Sequence, residues 1–128
     1  MWDTSFYKNK KVFITGHTGF KGSWMCHLLA LSGADVTGYA LEPPTSPSLF
    51  ELCHLSDSIH SITGDIRDLD HLRKAVSSCQ PEIVIHMAAQ PLVRESYKNP
   101  VYTYETNVMG TVNILECIRT TPGVKSFL

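Results

Sequence analysis

An apolar run, Val12-Phe13-Ile14-Thr15, stops at Gly16, and two further glycines, Gly19 and Gly22, follow at intervals of three. The next residues, Ser23-Trp24-Met25-Cys26-His27-Leu28-Leu29-Ala30-Leu31, read as a helix. Strand, glycine turn and helix in that order constrain the chain more than any other feature. This is the local architecture that the pyrophosphate of a dinucleotide occupies. Gly16 can adopt a backbone conformation closed to other residues and turn the chain sharply. Gly19 presents bare backbone to an approaching phosphate, and Gly22 lets the helix pack close against the strand. The first amides of the helix have no internal partner and point at the anion. The alternative is an ordinary tight turn with chance glycines; the flanking strand and helix favour the nucleotide. The spacing is Gly-x-x-Gly-x-x-Gly, not Gly-x-Gly-x-x-Gly.

The rest of the chain alternates strand and helix around this turn. Residues 1–10 read as a polar lead-in, and Lys11–Thr15 as a first strand buried on both faces. The first helix is predicted over Phe20–Ser32, with Phe20, Trp24 and Leu28 beside Met25 and Leu29 as its apolar stripe and Gly33 as its C-cap. Asp35–Ala40 is the second strand. Three prolines make Glu42–Ser48 a loop. Leu49–Leu55 is a short helical piece and Ser58–Thr63 a third strand. Asp68 caps a helix over Leu69–Ser78, with Leu69, Leu72, Val76 and Cys79 on one face, and Glu82–Met87 is the fourth strand. Ala88–Asn99 is a loop or broken helix. Tyr102–Arg119 is one long helix with Tyr104, Val108, Val112, Leu115 and Ile118 along one side, and Val124–Leu128 begins a fifth strand. Such alternation implies α/β architecture: a Rossmann-type doubly wound parallel sheet with right-handed crossovers and strand order 3-2-1-4-5. Residues 1–128 read as a single, partial nucleotide-binding domain, truncated in the fifth strand.

Composition narrows the function classes. With 43% hydrophobic residues, 18% charged residues and a net charge of −1, the chain is globular and lacks the basic surplus that nucleic acid or an anionic membrane would select. Residues 1–8 carry no signal-peptide core, and no apolar run approaches a membrane span. Cys26, Cys53, Cys79 and Cys117 are widely spaced, which suits buried reduced thiols and a cytoplasmic protein. The six histidines are scattered, so no metal is expected.

Ligands of this fold lie beyond the carboxyl ends of the strands, at the switch between the first and fourth. Three segments besides the glycine turn reach that edge. Asp65 is placed to accept from an adenine amino group, with the Ile66 backbone completing the pairing, while Asp68 reads as a helix cap. Ala88 and Ala89 leave room for a ribose and nicotinamide; a small-residue packing site is the alternative. His86 reads as a hydrogen-bonded core histidine rather than a general base. Asn107, a poor helix former, is expected to hold the loop after the fourth strand, and Gly110 to have a close neighbour, the sheet. The nearest acid to the end of the second strand is Glu42, and no arginine or lysine stands there for a 2′-phosphate, which favours NAD over NADP.

Gly16-His17-Thr18-Gly19-Phe20-Lys21-Gly22-Ser23-Trp24 resembles the signature of the CDP-glucose 4,6-dehydratases, within the extended short-chain dehydrogenases. So do residues 38–50, with Pro43-Pro44-Thr45-Ser46-Pro47-Ser48, and His86-Met87-Ala88-Ala89-Gln90-Pro91-Leu92-Val93-Arg94. Related sugar-nucleotide dehydratases and epimerases share the glycine turn, Gly64-Asp65-Ile66-Arg67-Asp68, the alanine pair and Thr106-Asn107-Val108-Met109-Gly110-Thr111, but not usually the proline loop. The resemblance implies tightly held NAD and a reaction that oxidises C4 of CDP-glucose, eliminates water across C5 and C6 and returns the hydride to C6. The product would be a precursor of dideoxy sugars in bacterial surface polysaccharide, made by a homo-oligomer. It also implies residue roles. Gly16, Thr18, Gly19, Phe20, Lys21 and Gly22 form the pyrophosphate turn, and Asp65 and Ile66 hold adenine. Ala88, Ala89, Gln90 and Thr106 line the ribose and nicotinamide end, and Leu92 and Ser96 face substrate. The family's catalytic Tyr-x-x-x-Lys is expected on a helix after the fifth strand, so no catalytic residue is assigned here. Tyr7 and Lys11 match that spacing by chance, but the stretch leads into the first strand, on the wrong side of the cofactor. Another nucleotide-sugar dehydratase or epimerase, or a non-catalytic nucleotide-binding module, remain the alternatives.

Overall fold

The computed structural model describes residues 3–128, so the part of the leaderless reading that rests on Met1 and Trp2 lies outside it. Its centre is a five-stranded parallel sheet: β1 Lys11–Thr15, β2 Asp35–Ala40, β3 His60–Thr63, β4 Ile83–His86 and β5 Ser126–Phe127. The order is β3-β2-β1-β4-β5, as the alternation predicts, and the register pairs Ile14 with Gly38 on one side and Ile85 on the other. β1 sits in the middle, and Val12, Phe13, Ile14 and Thr15 have no exposed surface.

Side chains alternate across the sheet. Phe13 and Val84 pack under the helices α3 (Leu69–Cys79) and α6 (Gly110–Arg119) with Leu72, Val76 and Ile114. Val12, Ile14 and Ile85 pack on the opposite face with Cys26 and Leu29 of α1 (Phe20–Leu31), and with Leu55 and Ile59. α3 follows expectation: Asp68 accepts from the His71 amide at 3.0 Å, and Leu72, Ala75 and Val76 are buried.

Several expectations are corrected. The lead-in contains a 3₁₀ turn, Thr4–Tyr7, capped by Asp3. The helical piece after the proline loop divides into α2 (Leu49–Leu52) and a 3₁₀ turn at Leu55–Asp57. β3, β4 and β5 are shorter than predicted. The buried face of α1 is Gly22, Ser23, Cys26 and Leu29, while Phe20, Trp24 and Leu28 point outward. Small residues are needed beneath because the helix lies nearly on the turn: a Cβ on Gly22 would stand 2.0 Å from the Gly16 carbonyl oxygen. The loop after β4 contains α4 (Val93–Lys98). The long helix begins earlier, at Pro100, and is interrupted: α5 (Pro100–Tyr104), a π-helical turn (Glu105–Met109), then α6. The extra residue of a π turn rotates the following face. Tyr104, Val108, Val112 and Leu115, before, within and after that turn, are all exposed, and Thr106, Gly110, Asn113, Ile114 and Cys117 face inward, so the buried stripe is not the one the apolar spacing predicts. Of the four free cysteines, Cys53 is exposed, not buried. No helix among the described residues is long and apolar enough to cross a membrane.

Candidate functional site

The turn after β1 is built by its glycines in unequal ways. Gly16 has φ +79°, and a Cβ there would lie 2.8 Å from the Ala88 amide nitrogen, so the loops after β1 and β4 touch at this point. Gly22 is held by the Gly16 carbonyl, as above. Gly19 is different: its φ is −75°, and a Cβ would meet only the Gly16 oxygen, at 3.5 Å, an ordinary contact. Nothing in the chain itself demands glycine at 19. The first intrahelical bond of α1 is Ser23 N–H to Gly19 O at 2.8 Å, so the amides of Phe20, Lys21 and Gly22 precede it at the positive end of the helix. Bare backbone, open space and helix-terminal amides together form a cradle that fits a pyrophosphate.

Neighbouring side chains fasten this cradle. Thr18 Oγ1 donates to the Leu41 carbonyl at 2.8 Å, tying the turn to the end of β2. Ser23 Oγ donates to the His17 carbonyl at 2.9 Å. His17 has no exposed surface; its Nε2 pairs with Ser61 Oγ at 2.7 Å and its ring meets the edge of Phe50. Burial pushes its pKa down to about 4, so it is neutral at pH 7, while Nδ1 has no hydrogen-bond partner. Phe20 and Lys21 stand exposed at the mouth.

At the end of β3, Asp65 is already engaged. Its Oδ1 accepts the Arg67 amide at 2.9 Å, and Oδ2 accepts the guanidinium at 2.7 Å. The guanidinium also reaches Glu105 at 3.1 Å and lies over the Tyr102 ring. Hydrogen bonding to Arg67 holds Asp65 below the usual carboxylate range, so Asp65 can only accept. Ile66 is buried, and its side chain is the close neighbour of Gly110, where the sequence suggested the sheet: a Cβ on Gly110 would come within 2.7 Å of it. Thr106 and Gly110, four residues apart, are both buried, and Thr106 Oγ1 has no partner. Glu42 accepts from Thr63 Oγ1 at 3.0 Å.

At the end of β4, Asn107 does hold the loop. Its Oδ1 accepts from Gln90 N at 2.7 Å and its Nδ2 donates to Gln90 O at 3.0 Å. The Gln90 side chain turns inward, to Leu92 N at 2.6 Å and Thr103 Oγ1 at 3.0 Å, and with the backbone amide given to Asn107, only the second lone pair of the Gln90 carbonyl is left for a ligand. Ala88 is half-buried and Ala89 exposed. Leu92 is exposed at the start of α4, and Ser96 Oγ donates to the Val93 carbonyl of its own helix at 2.6 Å; neither is tied to the glycine turn. His86 is hydrogen-bonded as expected, between Thr15 and Thr111. Sequence reasoning missed Thr15, His17 and Arg67. A threonine as the last residue of a buried strand, beside the turn, was the available signal for Thr15.

The profile of the GDP-mannose 4,6 dehydratase family matches residues 13–127. A CDP-glucose 4,6-dehydratase of Salmonella typhimurium strain LT2 is 55% identical over 126 residues, covering 98% of this chain and 35% of the relative. Among solved structures, the epimerase Mth375 of Methanothermobacter thermautotrophicus superposes with a TM-score of 0.79 at 28% identity, over 97% of this chain and 35% of its own. A UDP-glucose 4-epimerase of Brucella ovis in complex with NAD superposes at 0.73 and 30% identity, over 91% and 33%. The chain therefore spans about a third of the length of these relatives. By its motifs, its strand order and the extent of the profile match, the chain belongs to the GDP-mannose 4,6 dehydratase family.

Proposed function

We propose that this chain is the NAD-binding part of a cytoplasmic, homo-oligomeric CDP-glucose 4,6-dehydratase, and that residues 1–128 form a single nucleotide-binding domain. The observation that carries the reading is Gly19. It is free of any steric need within the chain, yet it opens the helix-terminal cradle to an anion. The 55% identity to a CDP-glucose 4,6-dehydratase supports that substrate over other nucleotide sugars. In bacteria such a product serves surface polysaccharide, the O-antigen of lipopolysaccharide.

In this reading NAD supplies the hydride acceptor and donor at C4 and C6 of the sugar. The chain binds and orients. Phe20, Lys21 and Gly22 take the pyrophosphate through backbone amides, on a turn shaped by Gly16 and Gly19, whose own amides donate to the Tyr39 and Gly16 carbonyls, with Thr18 anchoring the turn. Asp65, kept ionised by Arg67, accepts from the adenine amino group, and the Ile66 backbone completes the pairing. Ala88, Ala89, the Gln90 backbone and Thr106, whose buried hydroxyl lacks a partner, line the ribose and nicotinamide end. Leu92 and Ser96 face the sugar nucleotide.

Gly19→Val tests the cradle. Calorimetric titration with NAD is expected to show binding by the wild type and a loss of on the order of a hundredfold or more in the variant, with circular dichroism unchanged. Equal affinities would sink the cofactor reading. The substrate is tested on the full-length gene product with NAD and a panel of CDP-, GDP- and UDP-sugars. Formation of a 4-keto product from CDP-glucose alone is the expected outcome, and none from CDP-glucose would overturn it.

A further inference from the structure

The hydrogen bonds that meet at Thr15 define a role for His86. Thr15 Oγ1 receives two backbone amides, Met87 N at 3.0 Å, which it shares with the Thr15 carbonyl at 3.2 Å, and Ala88 N at 3.1 Å, and stands 2.7 Å from His86 Nδ1. A hydroxyl has two lone pairs and one proton. Both lone pairs face amides, so the proton goes to Nδ1, which must be bare. The imidazole then carries its hydrogen on Nε2, which donates to Thr111 Oγ1 at 3.2 Å, and Thr111 donates onward to the Asn107 carbonyl at 2.7 Å. Every proton along Asn107, Thr111, His86 and Thr15 has one place. Burial opposes protonation of His86, in keeping with that state. The two amides so held lie where the loop after β4 meets the glycine turn, against Gly16.

We propose that His86 is a positioning residue: as the Nε2–H tautomer it draws the Thr15 proton, turns both Thr15 lone pairs onto the Met87 and Ala88 amides, and so fixes the Ala88–Ala89 floor beside the pyrophosphate turn. The consequence for the cofactor rests on the reading of that floor as the nicotinamide side. His86 touches neither cofactor nor substrate in this role.

The test has two readouts. Long-range proton–nitrogen NMR spectra of the chain are expected to show His86 as a single Nε2–H tautomer; an Nδ1–H form would overturn the proposal. NAD titration of variants follows. Thr15→Val, nearly the same shape, is expected to weaken binding on the order of tenfold, while Thr15→Ser, which keeps the hydroxyl, stays within about twofold. His86→Phe should match Thr15→Val. His86→Asn, whose amide oxygen falls near the place of Nδ1, should recover most of the loss. Wild-type affinity in both Thr15→Val and His86→Phe would overturn the idea, and if Thr15→Val fails to fold, the His86 pair decides. If the wild type binds no NAD, the cofactor reading has failed, and amide exchange at Met87 and Ala88 decides the relay instead. Faster exchange in Thr15→Val and His86→Phe but not in Thr15→Ser supports it; unchanged exchange in all three overturns it.

Discussion

A histidine buried in the turn after β1, beside the first amides of α1, is stable there only as the neutral imidazole, because a charge would lose its hydration and face the positive end of the helix. His17 meets that condition through burial: its ring has no exposed surface, and its pKa is pushed down to about 4. Its ring also occupies the space above β2, where a Cβ on Gly38 would come within 2.4 Å of it. The sign of the pH effect follows. Below an unfolded value of about 6.5 the unfolded chain takes up a proton that folded His17 refuses. The stabilisation is complete above about pH 6.5 and is lost as pH falls toward 4, by at most about 3 kcal/mol. Asp65 acts lower on the scale. Its folded pKa is depressed, so its contribution is present above the ordinary carboxylate value and is lost as pH falls below it. Urea midpoints of the wild type should therefore drop between pH 6.5 and 4.5, and His17→Gln should flatten that slope. Parallel slopes in the two proteins would mean that His17 is not the titrating group.

At the scale of elements, α1 is governed by how near it lies to β1. Gly22→Ala would drive a Cβ into the Gly16 carbonyl, backbone against backbone, so the helix must move away. A loss of roughly 2–4 kcal/mol in stability, with weakened NAD binding, is expected by urea denaturation and titration. Gly19→Ala meets only an ordinary contact and should cost less than about 1 kcal/mol. If the two variants unfold at the same urea concentration, close packing at Gly22 is not what holds α1. The same closeness explains what was legible in the sequence. β1 and β2 were readable to the residue because the apolar run of β1 ends at a glycine turn, and β2 lies between Gly33 and the proline loop. The buried face of α1 was not, since apolar residues surround the helix and the choice fell to the small ones, Gly22, Ser23 and Cys26. Nor was the π turn at Glu105–Met109 that breaks the long helix, nor the choice of Thr106, Gly110, Asn113 and Ile114 over the larger apolar residues as its buried face. At the site, the glycines, Asp65 and the Asn107 brace could be placed from motif and spacing. Arg67 on Asp65, His17 on Ser61 and Thr15 on two amides join residues 2, 44 and 72–73 positions apart. Only the folded register makes the longer pairings visible, and the short one was hidden by the ligand role given to Asp65.

The whole molecule carries two apolar faces on opposite sides of its sheet. One is the outer side of α1: Phe20, Trp24, Leu28 and Leu31, at successive helical turns, are 69%, 50%, 39% and 74% exposed. The other runs along α5, the π turn and α6, where Val101, Tyr104, Val108, Met109, Val112 and Leu115 are exposed and Pro100, Val101, Tyr104, Glu105, Val108 and Met109 line a shallow groove. Contiguous exposed apolar surface of this kind favours association. A net charge of −1 offers little repulsion to oppose it. The chain is thus expected to self-associate in solution. Sedimentation velocity over a range of concentrations should show a mass that rises above 14.3 kDa. Added sulfate should strengthen the association, as burial of apolar surface requires, where contacts between surface charges would weaken. The double variant Trp24→Lys, Leu28→Lys and the double variant Tyr104→Lys, Val108→Lys each remove one face while leaving the buried core untouched. Both should shift the distribution toward monomer, and the larger shift identifies the face that dominates. A wild type that stays monomeric at every concentration, with and without sulfate, would show that neither face is apolar enough to drive the contact.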